Sequence, residues 1–510
     1  MEITGIEKLI AVFSPKKAME RISYRMAMDE MRGIYGGYDA ADNSRLNRGR
    51  DTINSPASRV DNLSRDVLRA RVRAAERNSD IIEAMITAIT RNVIGGKGIR
   101  LQIRLSDGQE VLENEFDKLE LLWKRWCREC DVSGTQTFRE MQEMIVRRYK
   151  LDGGIFILKV YTKDSFPFKL QVIEVDELDS TYNTGKDENG NRAVNGIKYN
   201  QFNKPVKYYF VKYDANGLLT GERIEVDAKD VCFIWKKTRP SQLREITSFA
   251  PVLSKIYDIN DLNLYMLTKE KVNACLAAFV KRAAPTATSF GRNAVNSAGE
   301  RKEYTGKQLT PGMIMELNEG DEISSISPPN SSGGVDFMRQ QQRLAGAGIG
   351  LSYETTSRDM SQVNYSSARQ GLLEDWETYG DIQQTLIDHF LRWVFNEFLY
   401  CSVALLGLVN LPDFFAKRAE YEECADWIVP ARKWIDPKKE IEAEILALDK
   451  NLKTYQEVIT AQGNDPYQTL KDIKQFTDWK SLLGIKETEV KSSEQKTSNK
   501  PDETDEEDDV

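Results

Sequence analysis

The stretch V335-D-F-M-R-Q-Q-Q-R-L-A-G-A-G-I-G-L-S-Y-E-T-T-S-R-D-M-S-Q-V-N-Y-S-S-A-R-Q-G-L-L373 decides the fold. It has three parts. A helical run from Phe337 to Leu344 ends in small residues, Ala345 to Gly350. A polar segment, Ser352 to Ser367, follows with neither a helical nor a strand period. A long amphipathic helix then begins. Long irregular segments inside compact domains are functional or disordered more often than idle. This one carries Arg358, Gln362, Asn364, Tyr365 and Arg369 with few acids. Gly346, Gly348 and Gly350 allow the backbone to bend at one end, and Ser366-Ser367 is expected to cap the helix at the other.

Outward from this stretch, the following helix has the clearest pattern in the chain. Leu372, Trp376, Tyr379, Ile382, Leu386, Phe390 and Trp393 recur at three and four, and the run ends near Gly407. Upstream, a helix from about Phe249 to Arg282 is some 50 Å long at 1.5 Å per residue, with Pro285 preventing its continuation. Its narrow apolar stripe (Val252, Ile256, Ile259, Leu262, Met266) calls for neighbours from other elements or other subunits.

Further out, a helix is expected from Ser64 to Val93, broken near Asn78-Ser79 and stopped at Gly95-Gly96. Helices follow over Glu113–Cys130 and from Thr137 to Arg147. Alternating runs at 155–161, 169–173, 196–199, 206–211 and 231–235 read as one antiparallel sheet, with turns at Asn189-Gly190 and Asn216-Gly217. The close carboxylates of E-V-D-E-L (Glu174–Leu178) read as a strand end and turn. Two helices, Lys438–Leu448 and Thr454–Gly463, precede a low-complexity tail beyond Glu487.

The strings G-L-S-Y-E (Gly350–Glu354) and N-Y-S-S-A-R (Asn364–Arg369), in this order and spacing, resemble the portal proteins of lambda-type tailed bacteriophages. The resemblance runs from about Arg69 to about Asp465. It takes in N-V-I-G-G-K-G-I-R-L-Q from Asn92, I-E-V-D-E-L from Ile173, T-R-P-S-Q-L-R from Thr238, L-x-P-G-x-I from Leu309, and the W-I-V-P and W-I-D-P strings at Trp427 and Trp434, which resemble the passage from wing to crown. Where that family has Gly and Pro after T-R-P-S-Q-L-R, this chain has Glu245 and Thr247-Ser248.

The resemblance implies an α+β portal fold: an α/β wing, a long-helix stem, a small β-containing clip and a helical crown, assembled as a closed ring of about twelve subunits. The corresponding regions are an N-terminal arm (1–65), wing (66–247), first stem helix (248–284), clip (285–334), second stem helix (335–349), tunnel loop (350–367), long wing helix (368–410), crown (411–486) and acidic tail (487–510). It further implies a ring at the unique capsid vertex of the virion, through which double-stranded DNA is packaged and ejected. Its partners are terminase, the head-completion protein, and the major capsid and scaffolding proteins. The local chemistry then assigns DNA-phosphate contact to the tunnel loop, led by Arg358, with Gln362, Asn364, Tyr365 and Arg369. The exposed clip, with Arg292, Arg301 and Lys302, is the expected docking surface. The alternatives are a non-channel oligomeric scaffold and a packaging-associated enzyme.

Composition narrows these. The chain has 510 residues with 40% hydrophobic, enough for several cores. No run approaches the roughly 18 apolar residues of a membrane span. G-G-K-G at Gly95 lacks the spacing and the Ser/Thr of a phosphate loop. The single histidine, His389, lies in an apolar helical run, as a core or interface residue rather than a general base. Cys127 and Cys130 form C-x-x-C without a second ligand pair, so no metal site is expected. No cofactor or catalytic residue is expected either. Trp123 and Trp126, at helical spacing, are expected in the core. The net charge of −8 conceals a basic stretch from Asn43 to Arg104 and an acidic end, P-D-E-T-D-E-E-D-D-V.

Overall fold

A computed structural model of the chain describes residues 54–103, 112–275 apart from 214, 215, 217 and 218, 334–361, 364–432 and 437–483, with short stretches between 14 and 24. Two compact units divide between Val60 and Asp61. In the first, helical backbone is described at 15–17, 19–21 and 23–24, and helix α1 (Ala57–Asn78) begins there, seven residues before the Ser64 start expected. All elements from α2 onward belong to the second unit. The described residues form a mixed helix-and-sheet fold with no closed barrel.

The break expected near Asn78 separates α1 from α2 (Asp80–Ile94), with Ser79 at the N-cap and Gly95 at φ +62° as C-cap. Strand β1 (Arg100–Ile103) leads to α3 (Glu113–Glu129) and α4 (Phe138–Leu151). Thr137 caps α4 in a reciprocal box, its side chain accepting from the Glu140 amide while Glu140 accepts from the Thr137 amide.

The single sheet expected in the wing is instead two. One has β2 (Gly154–Tyr161) at its centre, flanked by β3 (Phe168–Ile173) and β8 (Val231–Trp235); the other runs in chain order through β4 (Arg192–Val194), β5 (Ile197–Tyr199), β6 (Pro205–Tyr213) and β7 (Leu219–Asp227). All pairings are antiparallel. Two strands had no clear signal: β4 is three residues long, and β7, L-T-G-E-R-I-E-V-D, is largely polar. The facing apolar sides of the sheets share a small core of Phe156, Ile197, Tyr208 and Phe210, in which Phe156 and Phe233 stack with centroids 4.1 Å apart.

The main core joins α2, α3, α4, the first sheet and the long helix. Trp123 and Trp126 are buried in it as expected. Trp126 stacks on Phe168 and donates its indole N–H to the Phe168 carbonyl at 2.8 Å, while Trp123 meets Phe398 and Trp427 edge-on. Trp427, the first residue of the W-I-V-P string, is thus a core residue. It lies on β9 (Ala425–Ile428), a strand absent from the expectation that pairs antiparallel with β1. Burial of the Trp427 indole in this core explains its place.

The two helices expected to form a stem are α5 (Leu253–Cys275) and α6 (Gly334–Ala347). The clip, 285–334, lies outside the described residues except for Gly334, so Arg292, Arg301 and Lys302 are not described. A five-residue helix, α7 (Tyr353–Ser357), occupies what was expected to be irregular loop. The long helix is not continuous α-helix. It comprises α8 (Tyr365–Leu386), a π turn at Ile387–Leu391, α9 (Arg392–Tyr400) and a second π turn at Cys401–Leu405, ending at Gly407 with φ +60°. At the first π turn His389 is exposed, not core; its backbone carbonyl accepts the Cys232 thiol at 3.1 Å.

After α10 (Arg418–Glu423) and β9 come α11 (Pro437–Asp449), α12 (Tyr455–Ala461) and α13 (Pro466–Leu482). The third was not expected, although Asp465-Pro466 is a strong start: Asp465 accepts from the amides of Tyr467 and Gln468, with proline at the first helical position. No residue of α11 or α12 is buried.

Candidate functional site

The segment between the second stem helix and the long helix is held at its base. Ser352 caps α7, and the buried Asp375 of α8 accepts from the Ser352 amide and hydroxyl, both at 2.7 Å, and from the Thr355 hydroxyl at 2.5 Å. Thr378 donates to the Gly350 carbonyl at 2.8 Å. The glycines expected to act as a hinge are sites of close packing. A Cβ on Gly348 would lie 2.3 Å from Val252, just before α5, and one on Gly346 would lie 2.8 Å from the Leu351 carbonyl oxygen. Gly350, at φ +81°, would meet Thr378. The base of the loop is thus fixed on both sides.

Its outer part rests on the second stem helix. Asp359 pairs with Arg339 at 3.5 Å and accepts from the Tyr353 hydroxyl at 3.3 Å, while Arg343 lies over the Tyr353 ring. Hydrogen bonds from Ser361 hold the Asp359 carboxyl below its usual range. Arg358 takes the left-handed conformation, φ +56° and ψ +21°, as the C-cap of α7, its amide donating to the Glu354 carbonyl at 2.9 Å. Its side chain is exposed and makes no ion pair among the described residues; neighbouring Asp359 faces Arg339 instead. Arg369, on the first turns of α8, is likewise exposed and without an ion pair there.

The remaining loop residues divide. Asn364, rather than Ser366 or Ser367, is the N-cap of α8, its side-chain oxygen accepting from the Ser367 amide at 2.8 Å. Tyr365 opens that helix, and Gln362 lies outside the described residues. Structure therefore leaves Arg358 exposed within the loop and Arg369 exposed just past it on α8, and commits Asn364 to a cap. Sequence reading missed Asp375, whose position inside an amphipathic helix gave no sign of its role.

A second cluster concerns the basic stretch near the N-terminus. Arg65, Arg69 and Arg73, one turn apart on α1, point at Glu245, Asp176 and Asp152. Arg73 grips Asp152 with two hydrogen bonds of 2.8 Å and Arg244 grips Glu245 at 2.7 and 2.9 Å. Glu245 is fully buried. Burial alone would push its carboxyl up, but the guanidiniums of Arg244, Arg65 and Arg69 hold it below the usual range. The turn at E-V-D-E-L is present as a short 3-10 segment at Val175–Glu177, with Asp176 bound to Arg69 and Arg73. Glu245 thus stands as the centre of an ion-pair network just before α5.

Among the described residues no group of three or more His, Cys, Asp or Glu side chains could hold a metal ion. Burial raises the Cys127 thiol well above its ordinary range and pushes Cys130 up to about 12, so neither is a thiolate near neutrality.

The family profile described as "Phage portal protein, lambda family" matches residues 43–383, two thirds of the chain. The chain belongs to that family. Over 438 residues it is 25% identical to the probable portal protein of Halomonas phage phiHAP-1, covering 81% of this chain and 80% of the relative. It is 24% identical over 400 residues to portal protein B of Escherichia phage lambda, covering 72% and 74%. Among solved structures it resembles a chain of the neck of a native gene transfer agent particle computed with C12 symmetry, with TM-score 0.43, 13% identity and coverage of 83% and 99%. It is a phage portal protein, a structural protein rather than an enzyme. No described helix is long and apolar enough to cross a membrane.

Proposed function

We propose that copies of this chain close into a ring at one vertex of the capsid, enclosing the channel through which double-stranded DNA enters and leaves. The observation that carries this reading is the apolar surface left open on the stem. On α5, Leu264, Tyr265 and Leu267 are more than half exposed, and on α6 so are Val335 and Phe337. Contiguous apolar surface on paired helices marks an interaction site. A closed ring covers such a surface by setting each subunit's stem against the next.

In this reading 350–367 faces the channel. Arg358 and Arg369 meet DNA phosphates, with Gln362, Asn364 and Tyr365 nearby, and contacts go to the backbone because a channel passes every sequence. The clip docks terminase and later the head-completion protein through Arg292, Arg301 and Lys302, and the wing and crown face the capsid and scaffolding proteins. About twelve subunits follows from the family likeness.

Cryo-electron microscopy of the purified full-length protein is the test. Closed rings with an open axis are the expected outcome; a monomer at micromolar concentration, or a solid assembly without an axial opening, overturns the reading. Charge reversal at Arg292, Arg301 and Lys302 is expected to leave rings intact and weaken terminase binding.

A further inference from the structure

A cavity of about 410 Å³ lies where β1, α3, α4 and β9 meet the first turn of α13. Its floor is apolar: Ile99, Leu101, Trp123, Phe138 and Ile428 are all buried. Its rim is basic, with Lys97, Arg100, Lys124, Arg128 and Arg139. Lys97 and Arg128 are exposed and make no ion pair among the described residues, and Lys124 reaches Glu120 only at 3.7 Å.

The two acids of the lining are already engaged. Glu120 accepts from the Ile103 amide at 3.0 Å, and burial raises its carboxyl. Asp465 caps α13 and accepts from Gln102 at 2.8 Å. Arg139 pairs with Glu143 at 3.0 Å and Arg100 donates to the Gly463 carbonyl, which leaves Lys97, Arg128 and the loosely held Lys124 as a positive mouth over an apolar floor. Neither the stem nor the loop uses it.

We infer that this mouth binds the acidic segment Asp502–Asp509 of the same chain. Two features of the chain point to that occupant. First, charge: seven of those eight residues are Asp or Glu. Second, connection: α13, whose first turn lines the cavity through Asp465 and Gln468, continues into that segment. The helix is about 25 Å long. The 20 residues from Leu483 to Asp502 span up to about 65 Å when extended, so the segment reaches back over the helix with slack. A tether of this length gives an effective concentration near millimolar, enough to populate a contact too weak to hold a free peptide. The device has a use in a protein beside DNA: the acidic segment screens exposed cations of the wing from phosphate without altering the loop arginines.

The test is zero-length carbodiimide cross-linking of the full-length protein, read by mass spectrometry. Lys97 and Lys124 are expected to carry the most abundant links to residues 502–509. The double variant Lys97→Glu/Arg128→Glu is expected to cut the Lys124 link at least fivefold, as is 1 M salt, which shortens the screening length to about 3 Å. Links spread evenly over exposed lysines on other faces, such as Lys163 and Lys417, overturn the proposal. So does a Lys124 link indifferent to the double reversal, or one made to another acidic segment. A second measurement leaves the wing unmutated: with the acids of 502–509 changed to Asn and Gln, hydrogen exchange at 97–101 should rise. Unchanged exchange there also overturns it.

Discussion

Two sets of arginines in this molecule have opposite fates. Arg65, Arg69, Arg73 and Arg244 are buried or half-buried and committed to Glu245, Asp152 and Asp176. Arg358 and Arg369 are exposed and make no ion pair among the described residues. In the sequence both sets read simply as positive charge. The structure separates them by the availability of carboxylates on facing elements. Surplus charge, rather than charge, identifies a surface free to meet a polyanion. The first set has a structural task, joining α1 to the turn after β3 and to the segment before α5.

The comparison breaks most visibly at Glu245. Its replacement by Gln leaves the guanidiniums of Arg244, Arg69 and Arg65 buried without their shared counter-charge. Removing one partner of a buried ion pair costs about 3–5 kcal/mol. The expected outcome is a large drop in the urea midpoint of the wing, with little change when Arg369 is replaced by Ala.

Acid sharpens the same contrast. The folded-state Glu245 carboxyl titrates below its ordinary 4.5 despite burial, because three guanidiniums face it. The unfolded chain therefore takes up the proton first as pH falls. The stabilising contribution is complete above about 4.5 and is lost as pH falls through the lowered folded value. Wild-type stability is expected to fall in that window, and the Glu245→Gln variant, already destabilised, to show a shallower fall in denaturation measured from pH 6 to pH 3.

Asp375 gives a smaller and more local effect. Asp375→Ala strands the Ser352 amide and hydroxyl and the Thr355 hydroxyl, a cost of about 1–3 kcal/mol. Faster hydrogen exchange across 350–359 is expected, with exchange in β2 unchanged. Equal exchange in the loop would show that packing at Gly346 and Gly348 fixes its base alone.

How much of this was legible depended on the range of the interaction. Local signals placed α2, α3, α4 and α12: the Gly95 stop, the Trp123/Trp126 spacing and the threonine caps at 137 and 454 are written in neighbouring residues. Long-range pairing was not. Strand β9 is four residues long and owes its existence to β1, more than 300 positions away. The same holds for the candidate site. Arg358 stood out by composition, but its freedom rests on Asp359 being taken by Arg339 of another helix. Glu245 and Asp375 gave no sequence signal because their meaning lies wholly in what folds against them. The π turns escaped notice because one extra residue in a turn leaves the apolar period almost intact.

The smallest expected effect on stability is the most informative about function. Arg358→Ala removes an exposed side chain that makes no ion pair among the described residues, so folding should change by no more than about 0.5 kcal/mol. Alanine inherits the same left-handed backbone, so strain does not change between the two. Arg358→Gly, which relieves a cost of about 1–2 kcal/mol for a side chain in that conformation, should stabilise slightly. Both variants remove the charge, and Arg358→Lys restores it. In assembled particles the alanine and glycine variants are expected to form rings yet retain less packaged DNA, with lysine recovering most of the loss. The pattern matters more than any single value, since stability and packaging would move in opposite directions for glycine. Normal packaged length in both charge-removing variants would show that Arg358 does not touch the duplex, leaving Arg369, exposed on the first turns of α8, to test next.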